Sequence, residues 1–90
     1  MAADTDSLID YPCDFPIKVM GPHTDDFVEV VLTITRTHDP VFDPSTRVER
    51  RPSSSGKYLG LTLTVMATSR EQLDELYRTL STHPMVKVVL

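Results

Sequence analysis

The sequence contains a single cysteine, Cys13, so it can form neither an intramolecular disulfide nor a Cys-x-x-Cys metal site. Such sparse cysteine use is typical of a reducing compartment, and we expect a cytoplasmic protein. No apolar run approaches the roughly 18 residues of a membrane-spanning helix. The acidic first ten residues lack the basic region of a signal peptide. We therefore expect no association with a membrane.

The chain also lacks the patterns of several common activities. Its formal net charge is −4, which disfavours a non-specific nucleic-acid binder, because such proteins are usually basic. The phosphate-loop spacing Gly-x-x-x-x-Gly-Lys-Ser/Thr does not occur. The sequence has no asparagine, the residue that positions water in acylphosphatase chemistry on related folds. We predict no catalytic residues and no cofactor.

The three histidines are far apart in the sequence and show no metal-ligand spacing. They are His23, His38 and His83. We expect them to be surface or helix-capping residues, and we predict no metal site. No Ser-His-Asp or Cys-His arrangement can be inferred from their order.

Alternation of apolar and polar residues predicts strands at 15–20, 57–67 and 85–90. A short, exposed strand is expected at 46–51, followed by a turn at 52–56. The core side of the longest strand is predicted to consist of Leu59, Leu61, Leu63 and Val65. In the last strand, Val86, Val88 and Leu90 are expected to share one face.

Residues 24–38 carry conflicting signals. Their β-branched residues, and the alternation of Val28, Val30, Leu32 and Ile34, favour a strand. The i, i+3, i+4, i+7 spacing of Phe27, Val30, Val31 and Ile34 favours a helix. Thr24 is a suitable N-cap, and acidic residues follow it where the helix dipole favours negative charge. The local signals favour the helix, with the strand as the alternative.

A second helix is predicted after Ser69, because Gln72 three residues later completes a capping-box pattern. Its apolar stripe consists of Leu73, Leu76, Tyr77 and Leu80, and the pair His83-Pro84 should end it. The order β-α-β-β-α-β predicts an α+β fold, the ferredoxin-like sandwich, with two helices on one face of a four-stranded antiparallel sheet. The first and third strands should be central.

Four segments, in this order, resemble the YbeD family of small bacterial proteins. They are residues 15–21, 51–58, 67–73 and 86–90. The resemblance covers residues 11–90 and implies a single ferredoxin-like domain similar to the ACT domains that regulate amino-acid metabolism. It also implies a helix at 24–38. Residues 1–10 are expected to form a flexible N-terminal tail. Family members are often encoded beside lipoate-attachment genes, which implies a link to lipoate metabolism.

The turn between the second and third strands is the first candidate site. We predict that an anionic ligand or a partner binds at Arg50, Arg51, Ser54, Gly56, Lys57 and Tyr58. Two arginines, the serine hydroxyls and the backbone donors near the glycine could together hold a phosphate or a carboxylate. The alternative is a solvated hairpin tip whose charges keep an edge strand soluble.

The sheet face without helices is the second candidate. Besides Tyr58, the side chains expected on it are Lys18, Met20, Thr62, Thr64 and Met66. A mixed, uncovered face is typical of an interface, so we expect a homodimer or a protein partner here. RNA-recognition domains place two or three aromatic residues on this face for base stacking, whereas only Tyr58 qualifies in this chain.

These observations favour a non-enzymatic, ACT-like regulatory or adaptor domain that binds a small metabolite or a protein partner. Two other classes remain open. A small acyl- or phosphoryl-group hydrolase or transferase would use Arg50 or Arg51 as an oxyanion clamp. An RNA-binding module would show salt-dependent affinity for single strands.

Overall fold

The computed structural model describes residues 10–90. Its elements are, in chain order, β1 (Cys13–Pro22), α1 (Asp25–His38), β2 (Val48–Pro52), β3 (Tyr58–Ala67), α2 (Arg70–Ser81) and β4 (Val88–Val89). The predicted N-terminal tail, apart from Asp10, lies outside the described residues.

The four strands form one antiparallel sheet in the order β2-β3-β1-β4. The central pair, β1 and β3, is matched over its full length, from Cys13 opposite Ala67 to Pro22 opposite Tyr58. This confirms the ferredoxin-like βαββαβ sandwich and the central position of the first and third strands. Both central strands combine strict alternation with β-branched residues, which suits strands packed on one face.

Residues 24–38 form the predicted helix rather than the alternative strand. The Thr24 hydroxyl accepts a 3.2 Å hydrogen bond from the Phe27 N–H, which caps the helix. The helix buries Phe27, Val28, Val31 and Thr35. These positions lie on one side of a helix, so packing of this stripe outweighs the strand preference of the β-branched residues.

The second helix begins as predicted, with one difference in its cap. The Ser69 hydroxyl accepts from the Gln72 N–H at 3.1 Å, but the Gln72 carbonyl oxygen accepts from the N–H of Thr68, not of Ser69. The helix ends at Ser81, before His83-Pro84. It buries Leu73, Leu76 and Leu80 against the sheet residues Ile17, Val19, Leu59, Leu61, Leu63 and Val65. One hydrophobic core therefore lies between the sheet and the helices.

The last strand departs from its prediction. It comprises only Val88 and Val89, and Val86 lies in a turn in which its N–H donates to the His83 carbonyl oxygen. Val86 is buried in the core, whereas Val88 and Leu90 are 43% and 72% exposed. The prediction that these three residues share one face is wrong, because the regular alternation begins only after Val86.

Candidate functional site

The predicted uncovered-face residues do lie on one side of the sheet. In the register of β1 and β3, Lys18 is opposite Thr62 and Met20 is opposite Gly60, while Thr64 and Met66 continue the same face. The alternate residues of β3 are all buried on the helix side. We call the side without helices the open face. A role for these residues in binding remains a prediction.

The two arginines of the first candidate site are separated by strand geometry. Arg51 pairs with Gly60, whose position belongs to the open face, whereas Arg50 pairs with the buried Leu61. Because successive side chains of a strand start on opposite faces, the Cβ atoms of Arg50 and Arg51 lie on different sides of the sheet. Both residues nevertheless line the same concave region, so a cationic site that uses the two arginines remains a prediction.

In the turn that follows β2, backbone N–H groups donate hydrogen bonds to acceptors within the same turn. The Ser53 hydroxyl accepts from the Tyr58 N–H at 3.1 Å, and the Ser55 hydroxyl accepts from the Lys57 N–H at 3.4 Å. The Gly56 N–H donates to the Ser53 carbonyl oxygen at 3.0 Å. These three backbone donors are used within the turn, whereas the serine O–H groups can still donate, so anion binding at this turn remains a prediction. The side chains of Ser54 and Lys57 are exposed.

Gly56 and His23 complete this turn. Gly56 has φ +76°, a left-handed conformation that glycine adopts without steric cost. The His23 Nδ1 lies 3.0 Å from the Gly56 carbonyl oxygen, and the His23 N–H donates to the Lys57 carbonyl oxygen at 3.1 Å. The turn is thereby held against the loop between β1 and α1.

A concave region of about 730 Å³ lies on the open face. Its lining includes the exposed apolar side chains of Met20, Tyr58, Val88 and Leu90. These are four of the five large apolar side chains that are exposed in the described part of the chain, and Val41 is the fifth. Most of the large exposed apolar side chains within residues 10–90 therefore lie at this one place. The volume lies within the range of small-molecule sites, about 300–1,000 Å³.

Charged side chains border this apolar surface. Lys18, Arg50 and Arg51 line the concave region and form no ion pair within residues 10–90, and the one side-chain carboxylate in the lining is that of Glu49. Farther along the same face, Arg47 donates a 2.8 Å hydrogen bond to the Asp14 carboxylate. The concave region thus has an excess of positive charge in an acidic chain.

Each histidine contacts a nearby backbone group. The His38 Nδ1 lies 2.9 Å from the Ile34 carbonyl oxygen, and the His83 Nδ1 accepts from the Met85 N–H at 3.1 Å. Together with the contact of His23, these are the capping and surface roles expected of them. Within residues 10–90, no group of three His, Cys, Asp or Glu side chains is arranged to hold a metal ion. None of the described helices is long and apolar enough to cross a membrane.

Among the residues of the concave region that the sequence prediction missed are Glu49, Val88 and Leu90. The two apolar residues were expected to share one face with Val86, because uninterrupted alternation was assumed from Val86 onward. The nearby Pro84 is a signal that the chain is irregular before β4. For Glu49, no local signal fixes which face of the exposed strand it occupies.

The fold and this surface define an α+β ferredoxin-like domain with an uncovered, partly apolar sheet face. The solution structure of protein HP0495 from H. pylori has the same fold, with a TM-score of 0.70 and 19% identity, and the match covers 91% of this chain and 85% of that one. The chain belongs to the family described as "Protein of unknown function (DUF493)", whose model matches residues 6–90. This agrees with the resemblance to the YbeD family.

Proteins named UPF0250 are similar over nearly the whole chain. One from Janthinobacterium sp. (strain Marseille) is 63% identical over 86 residues, which cover 96% of this chain and 93% of the relative. One from Paraburkholderia phytofirmans is 58% identical over 90 residues and the full length of both. A third, from Ralstonia nicotianae, is 62% identical over 94% of this chain and 87% of the relative.

Proposed function

We propose that this protein is a non-enzymatic, ACT-like regulatory or adaptor domain that binds a small metabolite or a protein partner on the open face. The concave region carries this proposal, because it gathers exposed apolar side chains beside three cations that form no ion pair within residues 10–90. Clustered apolar surface with a few polar groups is typical of binding sites. The binding residues from the first candidate site that line this region are Arg50, Arg51 and Tyr58.

The resemblance to the YbeD family supports lipoate metabolism as the setting in which such a domain acts. Lipoate and octanoate each combine one carboxylate with an apolar body, and a surface with Lys18 and Arg51 beside apolar side chains is suited to that combination. A protein partner would present an acidic residue next to an apolar one.

The two other functions receive less support from the geometry. An oxyanion clamp needs preorganised donors that converge on one point, whereas Arg50 and Arg51 occupy successive positions of β2 and the backbone N–H groups of Lys57 and Tyr58 already donate within the turn. Base stacking needs aromatic side chains, and Tyr58 is the one aromatic residue in the lining of the concave region.

The experiment is a proton–nitrogen NMR titration of the labelled protein against pools of amino acids, nucleotides, lipoate and octanoate. We expect saturable shifts at Lys18, Met20, Tyr58 and Thr62. Arg51→Ala should weaken binding about tenfold, which corresponds to the loss of one charge-assisted contact. Arg36→Ala is the matched control, since it removes the same charge from an exposed position on α1, outside the concave region.

Equal affinity loss in the two arginine variants would assign the effect to overall charge and contradict the open-face site. If every pool leaves the spectrum unchanged, the titration is repeated with proteins captured from cell lysate. Shifts that then fall on the helices instead of the open face would overturn the proposal.

A further inference from the structure

Gly60 leaves a gap in the floor of the concave region. It lies between Met20 on β1 and Arg51 on β2 in one row across the open face, where every neighbouring position carries a side chain. A Cβ placed there would have a single contact within 4 Å, the Arg51 carbonyl oxygen at 3.4 Å. The space above this glycine is therefore open.

The size of the gap follows from sheet geometry. Met20 and Arg51 are separated by two strand spacings, about 10 Å, and Tyr58 and Thr62 by four residues of strand, about 13 Å. Side chains from these four positions surround an area that matches one or two fused rings. A ring that lies flat on the backbone at Gly60 contacts the peptide groups directly, as a glycine within a strand permits.

The surrounding side chains suit a flat, apolar body with one negative charge. Tyr58 offers an aromatic edge or face, and the thioether of Met20 makes favourable contacts with rings. Arg51 can bind a carboxylate through two parallel hydrogen bonds, and Lys18 supplies a second cation. Glu49 is the one acidic residue nearby, so the lining retains an excess of positive charge.

We propose that the gap at Gly60 is the binding subsite for a small carboxylate with a rigid, planar ring. This rests on the proposed function, and it assigns a ligand class to the same open face. A rigid ring loses less conformational entropy on binding than a flexible chain, which favours it in a shallow, partly open site. The carboxylate contacts Arg51, and the ring lies between Tyr58 and Met20.

The test uses three probes that separate the two halves of the ligand: indole-3-acetate, its neutral amide indole-3-acetamide, and acetate. Octanoate is the fourth probe, with the same charge and a flexible chain. Proton–nitrogen spectra of the labelled protein should show saturable shifts at Gly60, Met20 and Thr62 with indole-3-acetate. Each of the other three probes should bind at least about tenfold more weakly, since each lacks the charge or the ring.

Gly60→Val fills the gap with a residue that is favoured in strands. Thr64→Val is the matched control, because Thr64 lies on the same strand and face but outside the concave region. We expect Gly60→Val to abolish the binding of indole-3-acetate and Thr64→Val to preserve it. Gly60→Ala, whose Cβ has room, should weaken binding less than Gly60→Val. A dispersed proton–nitrogen spectrum of Gly60→Val itself verifies that its loss of binding does not arise from misfolding.

Equal affinity of wild type and Gly60→Val would overturn the subsite but leave the proposed function intact, provided the shifts remain on the open face. Tighter binding of octanoate than of indole-3-acetate would overturn the planar-ring assignment in the same way. No shift with indole-3-acetate at millimolar concentration would also overturn it. Shifts confined to the helices, with any probe or pool, would contradict the proposed function itself.

Discussion

The carboxylate of Asp39 accepts a 2.9 Å hydrogen bond from the backbone N–H of Met66, 27 positions away in the sequence. Asp39 follows α1 directly and is only 4% exposed, while Met66 lies near the end of β3. The Gln72 side-chain amide donates to the carbonyl oxygens of both His38 and Met66, at 2.8 and 3.1 Å. One polar cluster therefore joins the end of α1, the end of β3 and the beginning of α2.

Replacing Asp39 with alanine should lower the free energy of unfolding by about 1–3 kcal/mol, because it leaves the Met66 N–H without its acceptor. Asp39→Asn retains an oxygen and should cost less. Urea denaturation measures both. Asp74→Ala, which removes an exposed carboxylate, is the control and should change stability by less than about 0.5 kcal/mol. A loss in Asp39→Ala no larger than the control's would contradict this account.

Gly21→Ala should destabilise the fold by about 1–3 kcal/mol, since a Cβ cannot be added to this packed site without displacing its neighbours. It would lie 2.6 Å from the Met85 carbonyl oxygen and against the Phe27 ring. Gly60→Ala is the matched control and should change stability by less than about 1 kcal/mol. Thermal unfolding of the two variants measures both changes in stability. Similar losses of stability would show that strand propensity, and not crowding at Gly21, is responsible.

Stability should decrease at alkaline pH in a way that depends on Tyr77. Burial raises the pKa of Tyr77 above its ordinary value of 10.0. The unfolded chain therefore loses this proton first, so the stabilising contribution is complete below about pH 10 and is lost as the pH rises through the folded-state pKa. Thermal midpoints measured across this range should fall more steeply in the wild type than in Tyr77→Phe. Parallel curves would refute the assignment.

Ser45 should control the pKa of Asp43. The Ser45 hydroxyl, 2.7 Å from the Asp43 carboxylate, and the Ser45 backbone N–H hold the pKa of Asp43 below 3.8. Any stabilisation of the folded state by the ionised Asp43 carboxylate is complete above about pH 3.8 and is lost as the pH falls through the lowered pKa. In Ser45→Ala, NMR titration of the carboxyl carbon should show the Asp43 pKa shifted toward 3.8, with Asp74 unchanged. A pKa of Asp43 unaffected by this substitution would contradict the proposed cause.

Local patterns in the sequence determined most of the fold. Alternation identified the central strands, and cap residues at Thr24 and Ser69 located the starts of both helices. These signals are readable because they depend on residues within a few positions of each other. The same alternation assigned Lys18 and Thr62 correctly to the face without helices.

The tertiary structure decided how the site is assembled. Strand pairing with β3 places Glu49 opposite Thr62 and Arg51 opposite Gly60, and the irregular approach to β4 brings Leu90 to the concave region. Neither result can be obtained from local pattern, because the register of an edge strand is fixed by its partner, and a shift of one residue exchanges the faces. The sequence by itself therefore determined which elements form, while long-range pairing determined which side chains meet at the concave region.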